Sequence, residues 1–470
     1  MLCILVKIVY FYFKQMIMAK YKYPWIYIQE LSSSFLPQSK DDTAVFIGYT
    51  EMHENQEGQN LHLIPTLVDS VKSFETFFGK AQLEENIEIT DLSDAANEAI
   101  SVGFNGSSSL HNLYYAIQIF FEQGGRSCKI VSVGSFKNVG EPLSAIELLA
   151  GLDALETEDN NLLIAIPENQ NLPETDFYIL QEKILIFCKA HRSFAILDLP
   201  KTSADDYNAI ISSYREALIS PYLSFGATFF PNLVTDFTYL YQESAVKIKT
   251  SDETLSLLSV KESDEFLYKK YTDCLQQFFV NLPPSSAIAG ASNINDMDRG
   301  IWRPLANFKV EGIKQPEIII NDRQQEPLNI HPSGKAINCM RKFEERGTLI
   351  WGNRTLGGTD PEYRYIAIRR FVNRIEYTVA NLLKEEIFSN NLPQTCARVK
   401  SKTEYYCYGL WNSGAFCGPK PELAYFVKCG LNETMTQQDI DSGNLIIEIG
   451  IAITRPLEFR ILRFTQKTST

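Results

Sequence analysis

Short apolar runs alternate with stretches of helical period along the first half of this chain. TAVFIGYT (Thr43 to Thr50) reads as a buried strand that closes in a glycine turn. Leu67, Val71, Phe74 and Phe78 recur at helical spacing, so the pattern predicts a helix from Leu67 to Phe78. Ser109 is a candidate N-cap for a second helix whose stripe is Leu110, Leu113, Tyr114, Ile117 and Phe121. Gly124 and Gly125 stop it, and Cys128 to Val133 follows as a strand. The same grammar repeats twice: a helix from Pro142 to Glu156 before the strand Leu162 to Pro167, and a helix from Asp176 to Ala190 before Phe194 to Pro200. Helices alternating with continuous apolar strands predict a mostly parallel α/β layer.

The second half changes character. FGATFFPNLV begins a further strand, and Thr250 to Asn281 is helical and charged. Gly, Pro, Ser and Asn dominate the stretch from Pro283 to Asn307, which reads as a loop joining domains. QPEIIIND and GTLIWGNRT are strand patterns. Tyr365 to Glu386 is a long helix with Ile368, Phe371, Ile375, Val379, Leu382 and Leu383 along one face. Thr434 to Asp441 is a short helix ended by Gly443. Leu445 to Ile453 alternates as a strand, Pro456 interrupts, and Leu457 to Phe464 alternates again. Near the other end, Tyr23 to Gln29 is aromatic and β-branched with Pro24 at its start, which suits an edge strand or extended arm. Strands at both extremities without a closing element can pair with a neighbour, the mark of a part in an assembly.

Composition narrows the class. At 470 residues, 45% hydrophobic and 21% charged, the chain is long enough for roughly two to four domains with a sizeable core. A net charge of -13 argues against nonspecific nucleic-acid binding and against an anionic membrane surface. The nine cysteines include no C-x-x-C pair; Cys396, Cys407, Cys417 and Cys429 are too widely spaced for an ordinary structural zinc site and read as small buried apolar residues. Met1 to Ile17 is apolar, too short to span a bilayer and without a small-residue cleavage site; Met18 looks like the natural start.

Catalytic signatures are not found. None of His53, His62, His111, His191 and His331 lies four residues from another. Gly334-Lys335 has Asn329 where a phosphate loop needs glycine, and Ala336 where it needs Ser or Thr. Asp198 ends a strand without a glycine-rich loop after it and reads as a solvated strand end. No catalytic, cofactor-binding or metal-binding residue is assigned. The one charge cluster of interest is Arg364, Arg369, Arg370 and Arg374. Two readings compete for it: pairing within the chain with acids such as Glu362 and Glu376, or a basic helix facing a tube or an acidic neighbour.

Several segments resemble the tail sheath proteins of contractile injection machines, including phage tails, tailocins and phage-tail-like particles. They are MAKYKYPWIYIQELSSS, where Trp25 stands in place of the family's usual glycine, TAVFIGYTE, LYYAIQIFFEQGGRSCKIVSVG, GLDALETEDNNLLIAIPE, RSFAILDLP, DRGIWRPLAN, INCMRKFEERGTLIWGNRTL and FVKCGLNETMTQQDIDSGNLIIEIGIAITRPLEFRILRF. The resemblance implies a non-enzymatic subunit with a mixed α/β and α+β multidomain sheath fold. An inner domain would combine both chain ends, and an outer α/β domain would be inserted between them. The expected divisions are 1–17 (leader or mis-assigned start), 18–50 (N-terminal arm and part of the inner domain), 51–299 (outer domain) and 300–470 (C-terminal sheath domain with its arm). Strand-exchanging arms would carry Tyr23, Trp25, Ile26, Tyr27 and Ile28 at one end and Leu457, Phe459, Ile461 and Phe464 at the other. The implied partners are further copies of the chain in six-fold rings and an inner tube protein, with sheath paralogues, baseplate and cap proteins as additional candidates. No cofactor, nucleic acid or membrane partner is expected. Assembly would be cytoplasmic, with release as a particle or a place in a phage tail. The alternatives are an unrecognised α/β enzyme, or a capping ring of the same particle.

Overall fold

The computed structural model describes residues 42–467 apart from 56–57, 94–98, 159–160, 251–252 and 387–388. The arm residues Tyr23 to Ile28 and the leader therefore lie outside the described residues. The largest element is a nine-stranded sheet. Its six inner strands run parallel in the spatial order Cys128–Ser135, Thr43–Thr50, Leu162–Ala165, Phe194–Asp198, Gly226–Phe230, Ile337–Phe343. Numbered along the chain this is 2-1-3-4-5-6, a doubly wound order whose direction reverses between Thr43–Thr50 and Leu162–Ala165. Antiparallel strands cover the flanks: Thr66–Val68 on one side, Gly347–Trp351 and Phe308–Lys309 on the other.

Alternation along the central strand feeds two cores. Val45, Ile47 and Tyr49 face a cluster built with helices Ala145–Asp153, Glu174–Ala190 and Tyr207–Ala217. Ala44 and Phe46 face a second, built with helices Val71–Phe78, Leu113–Glu122 and Ser285–Asp298. Helices on both faces bury the strands on both sides, which is why the strands carry unbroken apolar runs. The sheet takes strands from residues 43–50 and from residues 308–351, so it runs across both positions, 50/51 and 299/300, where the sequence suggested divisions.

Two smaller modules are attached. Strands Ile87–Asp91, Ile100–Phe104, Lys247–Lys249 and Thr254–Ser256 form a four-stranded sheet that packs on helices Leu257–Ser263 and Glu265–Leu275. At the C-terminal end, helices Ile366–Lys384 and Pro393–Asn412 pack against a three-stranded antiparallel sheet, Tyr425–Lys428, Asn444–Ile451 and Arg460–Lys467.

Some sequence expectations are corrected. The Leu67 to Phe78 helix starts later, at Val71: Ser70 caps it by accepting the Ser73 N–H, and Leu67 belongs to an edge strand. Ser109 does not cap the next helix, which begins at Leu113 behind Asn112. The stretch from Pro283 to Asn307 is not a joint. Ser285–Asp298 is a buried helix of the main body, and its small residues serve close packing. A Cβ on Gly290 would lie 2.5 Å from the Phe120 carbonyl oxygen of the facing helix. Asp198, expected in solvent, is buried and accepts the Ser285 N–H at 3.0 Å, at the N-terminus of that helix.

Two measurements check these assignments. Alanine gains about 1 kcal/mol over glycine in a helix interior, yet Gly290→Ala should lower stability in urea denaturation, by about 1–3 kcal/mol, because the backbones must separate. Burial pushes the Asp198 carboxyl up to about 7 against the Ser285 hydrogen bonds. The folded chain therefore holds this proton more tightly than the unfolded chain, whose aspartate titrates near ~4. Stability should fall as pH rises from about 4 to about 7, and Asp198→Asn should flatten that part of the thermal-melting profile.

Candidate functional site

The charge cluster singled out in the sequence sits on helix Ile366–Lys384, and the structure turns it inward. Arg369, Arg370 and Arg374 are buried, Arg370 at 3% and Arg374 at 4% exposure. A basic face toward a tube or neighbour is thus corrected for these three; Arg364 lies ahead of the helix, half-buried, beside the Tyr365 ring. The first turns of the helix, Ile366 to Ile375, are enclosed on every side rather than striped.

The partner acids come from far away in sequence. Asp42, immediately before the central strand, takes both guanidinium groups. Arg370 donates to its Oδ2 from Nη2 at 2.7 Å and from Nε at 3.1 Å, while Arg374 donates to its Oδ1 from Nη2 at 2.7 Å and from Nε at 3.2 Å. Arg370 also reaches both oxygens of Asp296, on the small-residue helix. Asn161 donates to Asp42 as well. The cluster holds two positive and two negative groups, the balance that makes buried charge tolerable. Burial alone would raise the Asp42 pKa; Arg374 and Arg370 overcome it and hold the carboxyl below the usual range. Asp296, with Arg370 as its hydrogen-bonded partner and Asp42 nearby, is pushed up by burial to about 6.

Arg369 has a different task. Its Nε donates to Asn373 Oδ1 at 2.8 Å and its Nη2 to Glu376 at 3.1 Å. Its guanidinium lies 4.0 Å from the Tyr363 ring centroid and 4.6 Å from that of Phe225. Asn373 then donates to the Ser193 carbonyl, at the start of a main-sheet strand. Pairing within the chain was one of the two sequence readings, and Glu376 was named in it. Asp42, Asp296 and Asn161 were missed: partners so remote in sequence carry no local signal.

The second region is the C-terminal sheet. Arg460–Lys467 pairs through eight residues with Asn444–Ile451, and no other strand among the described residues pairs with its outer edge. Leu462 and Phe464 pack inward on the core. Leu457 and Ile461 face outward at 60% and 54% exposure. Phe459 stacks edge-on against Phe426 at 5.1 Å. Phe426 lies over Gly450, where a Cβ would come within 2.1 Å of the ring. Gly450 in turn pairs with Ile461, so one row of this face is apolar across all three strands.

Elsewhere the four C-terminal cysteines are free thiols, three of them buried. Among the described residues no group of three His, Cys, Asp or Glu side chains is placed to hold a metal, and no helix is long and apolar enough to cross a membrane.

The buried cluster makes a directional prediction. Asp42→Asn leaves two guanidinium groups facing one carboxylate and should cost about 3–5 kcal/mol in chemical denaturation. In the unsubstituted chain the Asp42 contribution is complete above the unfolded aspartate pKa of ~3.9 and is lost as pH falls below it. The acid limb of the stability profile should therefore be shallower in the variant.

No protein-family model matches the chain, and no curated protein matches it by sequence. Solved structures do. The chain is similar to the sheath complex of PVC, an extracellular contractile injection system, in its contracted state: 25% identity, TM-score 0.61, covering 95% of this chain and 98% of that one. It also shares the fold of a chain in the contracted helical sheath of the anti-feeding prophage (24% identity, TM-score 0.60, 95% and 99% covered). A chain in that prophage's contracted baseplate has the fold too (24% identity, TM-score 0.62, 94% and 98% covered). The chain thus shares its fold, over nearly its whole length, with chains of contractile sheath and baseplate assemblies.

Proposed function

We propose that copies of this chain stack as six-fold rings around an inner tube protein, and that the resulting sleeve shortens to drive the tube through a target envelope. The observation that carries this reading is the likeness, over 95% of the chain, to a sheath complex in its contracted state. Baseplate and cap proteins are the proposed partners at the two ends, with sheath paralogues beside it. Assembly takes place in the cytoplasm, before release as a particle or within a phage tail.

Two features support the mechanical side. The buried Asp42–Arg370–Arg374–Asp296 cluster fastens the C-terminal helices to the main sheet. That favours a subunit that turns as a whole while contacts between subunits change. The open edge of Arg460–Lys467, flanked by Leu457 and Ile461, is suited to backbone pairing with a strand from another copy. Such pairing asks little of particular side chains, so it tolerates a large change in the angle between subunits. The N-terminal segment with Tyr23, Trp25, Ile26, Tyr27 and Ile28 is the proposed counterpart. A contracted sleeve lower in free energy than the extended one would supply the work.

Electron microscopy of purified protein tests the reading. The full chain should form striated hollow cylinders. Leu457→Glu with Ile461→Glu alters only exposed positions, so folding stability should move by no more than about 0.5 kcal/mol while cylinders disappear. Deleting residues 18–38 should have the same effect. Ordinary cylinders from either variant would overturn the arm proposal, and discrete globules from the full chain would overturn the sheath role itself.

A further inference from the structure

Two polar contacts register the start of helix Pro393–Asn412 against the turn that follows strand Tyr425–Lys428. On one side, Glu433 accepts the Cys429 N–H at 3.3 Å and lies 3.6 Å from the ammonium of Lys400. On the other, Asn391 Oδ1 accepts from the Cys396 thiol at 3.7 Å, and its Nδ2 donates to Met435 Sδ at 3.7 Å. Met435 closes the turn by donating its own N–H to the Gly430 carbonyl at 3.1 Å. Lys400 stands one helical turn beyond Cys396, and Gly430 directly follows Cys429. The thiols of Cys396 and Cys429 therefore lie between the two contacts. There they face each other, the Cys429 S–H donating to the Cys396 sulfur. Both residues are free thiols, 6% exposed, and more than thirty positions apart in the chain.

The two sulfurs are not equivalent. Cys396 receives a hydrogen bond and sits in the first turn of a 20-residue helix, where the backbone dipole favours negative charge. The Cys429 hydrogen bond draws its thiol down to about 7, against the opposing effect of burial. Cys429 is pushed the other way, by the same hydrogen bond and by burial. One thiol is thus a nucleophile near neutral pH, and its neighbour keeps its proton, the arrangement of an attacking and a resolving cysteine. A soft metal ion suits the place less well. Met435, the other sulfur here, already accepts the Ile446 N–H at 3.3 Å, and among the described residues no group of three His, Cys, Asp or Glu side chains is placed to hold a metal.

We propose that Cys396 and Cys429 form a modification site, a dithiol that a peroxide converts to a disulfide, joining helix Pro393–Asn412 covalently to the C-terminal sheet. In the first step the Cys396 thiolate attacks one oxygen of hydrogen peroxide. The O–O bond breaks, and the departing hydroxide takes up the proton that the thiol released. Cys396 is then a sulfenic acid. In the second step the Cys429 sulfur attacks the Cys396 sulfur, the S–O bond breaks, and the Cys429 proton leaves with hydroxide as water. Two thiols lose two electrons, and the peroxide is reduced to two waters. Cys429 lies just past its strand and carries no rung of the sheet, so bringing the sulfurs to about 2.05 Å leaves the strand pairing intact.

The test treats the full-length folded chain with a small excess of hydrogen peroxide at neutral pH. Remaining thiols are then blocked with N-ethylmaleimide in denaturant, and the peptides are mapped by mass spectrometry. The expected result is a peptide pair linked through Cys396 and Cys429, lighter by two hydrogens than the separate thiols and released by dithiothreitol. In Cys429→Ser the reaction should stop at the sulfenic acid, so that dimedone labels Cys396. In Cys396→Ser, Cys429 should remain open to N-ethylmaleimide. The linked pair is read in the unsubstituted chain, so the result does not depend on either variant folding. Alkylation of both cysteines after peroxide treatment overturns the proposal. So does a link from either one to a different cysteine, including one in a second copy. Dimedone on Cys429 in Cys396→Ser, with none on Cys396 in Cys429→Ser, overturns it too.

Discussion

One carboxylate holds two parts of this subunit together. Asp42 stands at the entrance to the central strand of the main sheet, yet its oxygens are taken by arginines more than three hundred residues later. The sheet is complete without the C-terminal helices, and the C-terminal helices have a hydrophobic core of their own. Between them lies a desolvated network of four charges, tied through Asn161 to the start of strand Leu162–Ala165, while Arg369 and Asn373 make a separate tie to the Ser193 carbonyl. Hydrophobic contact alone permits sliding. Bidentate, directional ion pairs in a dry environment do not, because every small displacement breaks hydrogen bonds that no water replaces. Buried charge of this kind gives internal rigidity even where it adds little net stability.

Much of the main sheet could be read in the chain itself. Runs such as TAVFIGYT, LLIAIP and FAILDLP are continuous and apolar because both faces of those strands are covered, and that pattern survives any tertiary context. The failures share a cause. Pro283 to Asn307 looked like a joint because Gly, Pro, Ser and Asn are turn formers in isolation. In the fold the same small residues let helix Ser285–Asp298 approach Leu113–Glu122 closely, with Gly290 against the Phe120 carbonyl. Asp198 looked solvated because the helix N-terminus that meets it lies 87 residues away. Ser109 carried the right chemistry for a cap, but Gln82 and Glu84 engage it instead.

The arginine helix shows the limit most plainly. Its spacing placed Arg370 and Arg374 one turn apart, and that geometry holds. Sequence could supply the donors and not the acceptors, so inward and outward readings stayed open until Asp42 and Asp296 were located. The C-terminal strands, by contrast, were legible because their alternation is local; their bounds shift, the last strand running from Arg460 to Lys467 rather than from Leu457 to Phe464, with Leu462 and Phe464 inward and Ile461 outward.

The position of Asp42 has a mechanical corollary. Its side chain clamps the backbone immediately before the central strand to helix Ile366–Lys384, so parting that strand end from the helix means breaking four guanidinium–carboxylate hydrogen bonds at once rather than one after another.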